Sequence, residues 1–172
     1  MNPPGILKNK PVNCKMISKI SITEFRERLK NNTKYGPPKI KGTPFAIFTL
    51  FGESNKIFFG TYSKTKFELT KNSTLFPTQH IISGEIKSIE NNKTDINYLV
   101  KPIGFGYYWN KYMPIIVIPI FNLILYTESA PLEVYKIINP LMFGFVIISN
   151  LIIWRNKNKL INSFKKKFEI ES

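Results

Sequence analysis

Two nearly uncharged apolar runs, MPIIVIPIFNLILY and IINPLMFGFVIISNLIIW, occupy most of residues 112–154 and are separated by the polar segment TESAPLEVYK. The second is about 18 residues long, at the lower edge of what crosses a hydrocarbon core of roughly 30 Å. The first, at about 15, is short for a span. Its upstream flank changes that reading: Tyr107, Tyr108, Trp109 and Tyr112, with Lys111 among them, have the composition of an aromatic belt with one snorkelling lysine at headgroup depth. Including part of that flank brings the run close to spanning length. Nine Ile, Val, Leu or Phe residues in the first run, at roughly −0.5 kcal/mol each, contribute about −4 to −5 kcal/mol to insertion. Pro114, Pro119 and Asn122 subtract from this. Two buried core helices or two buried strands are the competing readings. A soluble part of about 100 residues, however, has no surface large enough to bury two such helices on all sides. The pattern predicts a transmembrane helical hairpin over residues 105–154.

Upstream, the period is different. Residues 1–16 mix Pro, Gly, Asn and Lys and predict no fixed structure. Residues 21–31 read as a helix, with Ser21 and Glu24 at capping-box spacing and Ile22, Phe25 and Leu29 on one stripe. Two prolines, Pro37 and Pro38, stop it. The run PFAIFTLF, residues 44–51, reads as a buried strand, with a turn at Gly52, Glu53, Ser54 and Asn55. Residues 56–62 and 65–70 read as a hairpin, and a looser stretch containing Pro77 follows. Residues 80–89 and 94–101 form a second hairpin about Asn91, Asn92 and Lys93. Ile82, Gly84 and Ile86 alternate with Glu85 and Lys87, and Ile96, Tyr98 and Val100 with Asp95, Asn97 and Lys101. Such alternation indicates a sheet with one covered and one wet face. The expectation is an α+β membrane protein: a small antiparallel β-meander or half-barrel of five strands, in a domain over residues 17–104, with amphipathic helices and the hairpin.

Beyond the hairpin, residues 155–172 read as a basic amphipathic helix with Leu160, Ile161, Phe164 and Phe168 on one stripe. It either packs back on the sheet or lies in an anionic inner leaflet, where each basic residue contributes about 1 kcal/mol.

The net charge is +14 over 172 residues, and its excess flanks the hairpin rather than entering the loop within it. Arg155, Lys157 and Lys159 follow Trp154 directly, whereas the loop holds Lys136 against Glu128 and Glu133. The positive-inside rule then places both termini and the β domain in the cytoplasm. Asn122 and Asn139 fall at similar depth in the two runs, and a hydrogen bond between them would pin the hairpin. The absence of ionisable residues within the runs argues against an ion pathway.

Catalytic chemistry is poorly served. His80 is the only histidine, Cys14 the only cysteine and Asp95 the only aspartate, which disfavours Cys–His catalysis and Cys/His zinc sites. Gly104 and Gly106 are not followed by an anion-binding helix start and read as a joint. No cofactor or metal is expected. The basic residues lie mostly in flanking segments without a nucleic-acid-binding signature, so the expected partners are the bilayer, anionic headgroups or a membrane protein rather than nucleic acid.

Phe59-Gly60, Phe67-Glu68-Leu69, Gly84-Glu85-Ile86 and Thr94-Asp95-Ile96, followed by an apolar hairpin and a basic tail, make a pattern over residues from about 45 to 154. It resembles small bacterial membrane proteins of unknown function that carry a β-rich domain and a two-helix membrane hairpin. The resemblance implies the bacterial cytoplasmic membrane and no assigned activity. The functional expectation is a membrane-anchored cytoplasmic binding or scaffold module without catalysis, or alternatively a small accessory subunit of a larger membrane complex.

Overall fold

A computed structural model describes residues 12–49, 55–72, 78–90 and 92–171. The expectations for residues 1–11, 50–54, 73–77 and 91 lie outside the described residues. Among the described residues a six-stranded sheet is formed by β1 (Val12–Ser18), β2 (Thr33–Tyr35), β3 (Phe58–Tyr62), β4 (Lys66–Lys71), β5 (His80–Ile89) and β6 (Lys93–Pro102). Their spatial order is β1-β6-β5-β4-β3-β2. Strands β3 to β6 are the predicted antiparallel meander, and the turn into β6 carries Asn92 at φ 57°, a conformation asparagine tolerates.

Both edges correct the sequence reading. β1 pairs with β6 and includes residues 12–16, which were expected to lack fixed structure. Its residues carry no strong alternation, so long-range pairing supplies what local pattern does not. At the other edge β2 runs parallel to β3, making the sheet mixed rather than antiparallel. With that edge of β3 taken, the Pro44 run does not become a strand. Pro44–Thr49 is instead a 3-10 helix, preceded by a second one over Pro38–Gly42.

Helix α1 (Ile22–Asn32) connects the two edges across one face of the sheet. The Glu24 backbone N–H donates to Ser21 Oγ at 3.2 Å, as the capping spacing predicts. Phe25 and Leu29 face inward and are fully buried. The two apolar runs form helix α2 (Gly104–Thr127) and part of helix α3 (Leu132–Lys167). A Schellman-type turn joins them: the Ser129 N–H donates to the Tyr126 carbonyl and the Ala130 N–H to the Leu125 carbonyl, with Ser129 at φ 54°.

The tail is not a separate helix but the last third of α3. At 1.5 Å per residue, α3 is about 54 Å long, well beyond a hydrocarbon core of roughly 30 Å. Its second part lies over the sheet. Leu160, Phe164 and Phe168 join α1 and the sheet in one core with Phe58, Phe67, Leu69, Ile82, Ile86, Ile96, Tyr98 and Val100. Phe168 stacks on Phe25 at 4.4 Å between centroids, and Phe164 meets Phe67 at 5.3 Å and Tyr98 at 5.4 Å. Of the two readings of the tail, packing on the sheet is therefore the one adopted. Arg28 of α1 closes this layer, donating to the Lys167 carbonyl at 3.0 Å and pairing with Glu169 at 2.7 Å.

Gly84 is required by this packing. A Cβ there would stand 2.6 Å from the Phe67 ring and 2.8 Å from the Asn97 carbonyl oxygen, so only glycine lets the ring lie against the strand.

Candidate membrane interface

The sheet hands over to α2 and α3 at one junction. β5 begins and β6 ends beside one another, with His80 opposite Pro102. The Ile103 N–H donates to the Gln79 carbonyl at 2.9 Å, and Asn156 Nδ2 of α3 donates to Gln79 Oε1 at 3.2 Å. One residue of β-sheet periphery thus ties the start of α2 to the middle of α3. Ile103, Tyr107 and Ile153 are buried here, outside the main core.

His80 is also buried at this junction, its ring edge-on to Tyr107 at 5.4 Å. Burial pushes its pKa down to about 4, with the nearby Lys157 charge acting in the same direction. It is a neutral packing residue at neutral pH.

The predicted interface residues divide into two groups. Tyr108, Trp109, Tyr112 and Trp154 are exposed, as are Arg155 and Lys159, while Lys157 is half-buried. Tyr107 departs from the expectation: it is 3 % exposed and serves the junction rather than the surface. Helical spacing explains the split, because Tyr107 lies on the α2 face turned to the sheet and its neighbours do not. Lys111 Nζ stands 5.5 Å from the Tyr107 ring centroid and 5.2 Å from that of Tyr112. Its side chain thus lies back toward the start of α2, the direction a snorkelling lysine takes.

Beyond the junction the helices touch chiefly each other. Ile116, Ile120, Leu123, Leu141, Phe145, Ile148 and Leu151 are all exposed. Both helices are long and apolar enough to cross a membrane. Two polar contacts register them. Ser149 Oγ donates to the Asn110 carbonyl at 2.5 Å. Toward the loop, Asn122 Nδ2 donates to Asn139 Oδ1 at 2.8 Å, and Asn139 Nδ2 returns a bond to Asn122 Oδ1 at 3.1 Å. The remaining Asn122 amide hydrogen is taken by the Ile118 carbonyl at 2.9 Å. No periodicity in the sequence pairs Ser149 with Asn110. The available signal was Pro114, which cannot serve the carbonyl four residues before it.

On the far side of the sheet from α1 and α3, the polar residues of the strands form an open face. Lys66 pairs with Glu85 and Lys101 with Glu68, each at 3.0 Å, and Lys15 stands 3.9 Å from Asp95. A shallow depression on this face is bounded by Lys66, Glu68, Ser83, Glu85, Asn97 and Leu99. Among the described residues, no group of three or more His, Cys, Asp or Glu side chains is placed to hold a metal ion. No protein-family model, curated protein or solved structure matches this chain.

Proposed function

We propose that the protein is a membrane-anchored binding or scaffold module, held in a bilayer by α2 and α3, with the β domain and both termini on the cytoplasmic side. The observation that carries this reading is the division of α3. One continuous helix has an apolar part that is exposed except along the side that meets α2, and an amphipathic last third whose stripe is buried on the sheet. Apolar surface of that extent is unfavourable in water by roughly 25 cal/mol per Å². A bilayer removes the penalty, and the rigid helix then fixes the sheet at a set height above it. The basic residues Arg155, Lys157 and Lys159 follow the apolar part directly and favour the cytoplasmic side for the domain. The resemblance to small bacterial membrane proteins makes the bacterial inner membrane the natural setting.

The open sheet face is the surface offered for binding. Its acids and bases are paired across strands rather than uniformly basic, which favours a protein partner over nucleic acid or anionic headgroups. No step of catalysis is assigned. Photo-crosslinkers placed at Ser83 or Asn97 of the full chain in native membranes should give one recurrent protein adduct, absent with a crosslinker at Lys166 on the outer surface of α3, beyond the opposite face of the sheet. Equal or absent labelling at all three positions would sink the binding reading. Resistance of the protein to alkaline extraction from membranes tests the anchor separately.

A second reading, an accessory subunit of a larger membrane complex, is favoured by the groove between α2 and α3. Trp109, Met113, Val117, Leu141 and Phe145 line it, and it could seat side chains from a partner helix. Sedimentation of a lone monomer in mild detergent would count against that.

A further inference from the structure

The 3-10 helix Pro44–Thr49 has no buried residue, although its sequence is PFAIFT. Phe45 is 62 % exposed, Ile47 59 % and Phe48 72 %. In a 3-10 helix residues three apart eclipse one another, and the Phe45 and Phe48 rings accordingly stack at 6.3 Å between centroids, 20° from parallel. The turn is built to hold this shape. The Ala46 N–H donates to the Thr43 carbonyl at 3.0 Å, Thr49 Oγ1 donates to the Ala46 carbonyl at 2.7 Å, and Lys34 Nζ bonds the Thr49 carbonyl at 3.0 Å. Three large apolar side chains are thus exposed on a braced turn, Phe45 and Phe48 on one ridge and Ile47 beside it, an arrangement that marks a contact surface.

Its position says what the contact is. Gly42, two residues before the turn, is packed so closely on Ile103 that a Cβ would lie 1.9 Å from Ile103 Cγ2. Ile103 is the N-cap of α2, immediately before the aromatic belt. Three residues of chain reach at most about 10 Å, so Phe45 lies within roughly 10 Å of that packing contact. That distance is comparable to the depth of a headgroup layer. The charges also match: between Glu27 and Glu53 the sequence contains no acidic residue, and Lys39, in the 3-10 helix just before the turn, is basic and exposed, whereas Lys41 is buried and Arg28 is paired with Glu24 and Glu169. Juxtamembrane segments of that composition are drawn to anionic leaflets.

We infer that Pro44–Thr49 is an interfacial anchor, which inserts Phe45, Ile47 and Phe48 into the headgroup and upper acyl region of the leaflet that α2 enters. This inference rests on the reading of α2 and α3 as spans. It makes the domain dock on the bilayer at a second point, so that the sheet is held in both height and rotation about α3.

The test uses the full chain carrying Cys14→Ser, reconstituted in nanodiscs of phosphatidylglycerol and phosphatidylcholine. Single spin labels are placed at Phe48→Cys, at Ile47→Cys as a second site on the turn, at Leu141→Cys in α3 and at Glu85→Cys on the open sheet face. Collisions with oxygen, which enters lipid, are compared with those of a water-soluble nickel chelate. The inference expects oxygen to dominate at residues 47, 48 and 141, with nickel dominating at 85. If residue 141 favours oxygen while 47 and 48 behave like 85, the spans stand and the interfacial anchor is overturned. It is equally overturned if 47 and 48 are shielded from both reagents, since protein rather than lipid then covers the turn. If residue 141 favours nickel, the spans and this inference fall together.

Discussion

Ser149 donates to the carbonyl of Asn110, the acceptor that Pro114 leaves without its helical N–H. Proline has no backbone donor, so the carbonyl four residues earlier in α2 must find one elsewhere. Ser149, in a largely apolar stretch of α3, supplies it. Ser149→Ala should lower stability in detergent by about 1 kcal/mol, read from steric-trap or denaturant unfolding. Pro114→Ala restores an N–H to α2, so adding it to Ser149→Ala should recover part of the loss. A double variant no more stable than Ser149→Ala would remove this explanation.

The two asparagines toward the loop form the second register point. Each uses its amide and its carbonyl on the other. A double-mutant cycle of Asn122→Leu and Asn139→Leu should return a coupling energy of about 0.6 to 2 kcal/mol. Either single replacement leaves one asparagine without its partner and should cost more than the pair of replacements together. A coupling near zero would show that the asparagine pair does not hold the hairpin.

Phe164 is the point at which α3 is bound to the sheet. Its ring is fully buried and touches Phe67, Tyr98 and Phe168. Phe164→Ala should destabilise the β domain by about 3 to 5 kcal/mol. Lys166→Ala, on the exposed side of the same turn, should stay within about 0.5 kcal/mol. Protease resistance of the domain in intact nanodiscs separates the two variants.

His80 makes the junction sensitive to acid. Its folded pKa of about 4 lies below the ordinary 6.5, so the unfolded chain takes up the proton first as pH falls. The stability associated with the neutral ring is complete above about pH 6.5 and is lost progressively down to about pH 4. The shift corresponds to on the order of 3 kcal/mol. Over that window, stability should fall more steeply in the wild type than in His80→Leu. Parallel curves for the two proteins would mean that the ring is not buried in the neutral form.

Much of the meander was legible because strand alternation and helix spacing are local signals. Phe67 and Leu69, Ile82 and Ile86, Ile96 and Val100 record in sequence which face of each strand is dry, and Ser21 records where α1 starts. The division of exposed and buried positions on the last turns of α3 could likewise be read from the Leu160, Phe164 and Phe168 stripe. Local pattern says that a face is apolar but not what covers it. Whether that stripe met a leaflet or the sheet depended on α3 continuing unbroken through Trp154. The fate of Pro44–Thr49 depended on β2 having already taken the edge of β3, a pairing between residues far apart in the chain. Tyr107 reads like its aromatic neighbours until His80, twenty-seven positions earlier, is placed against it. The contacts of Ser149 and of β1 are of the same kind: their partners are set by how the chain closes on itself, and no periodicity within either segment encodes that.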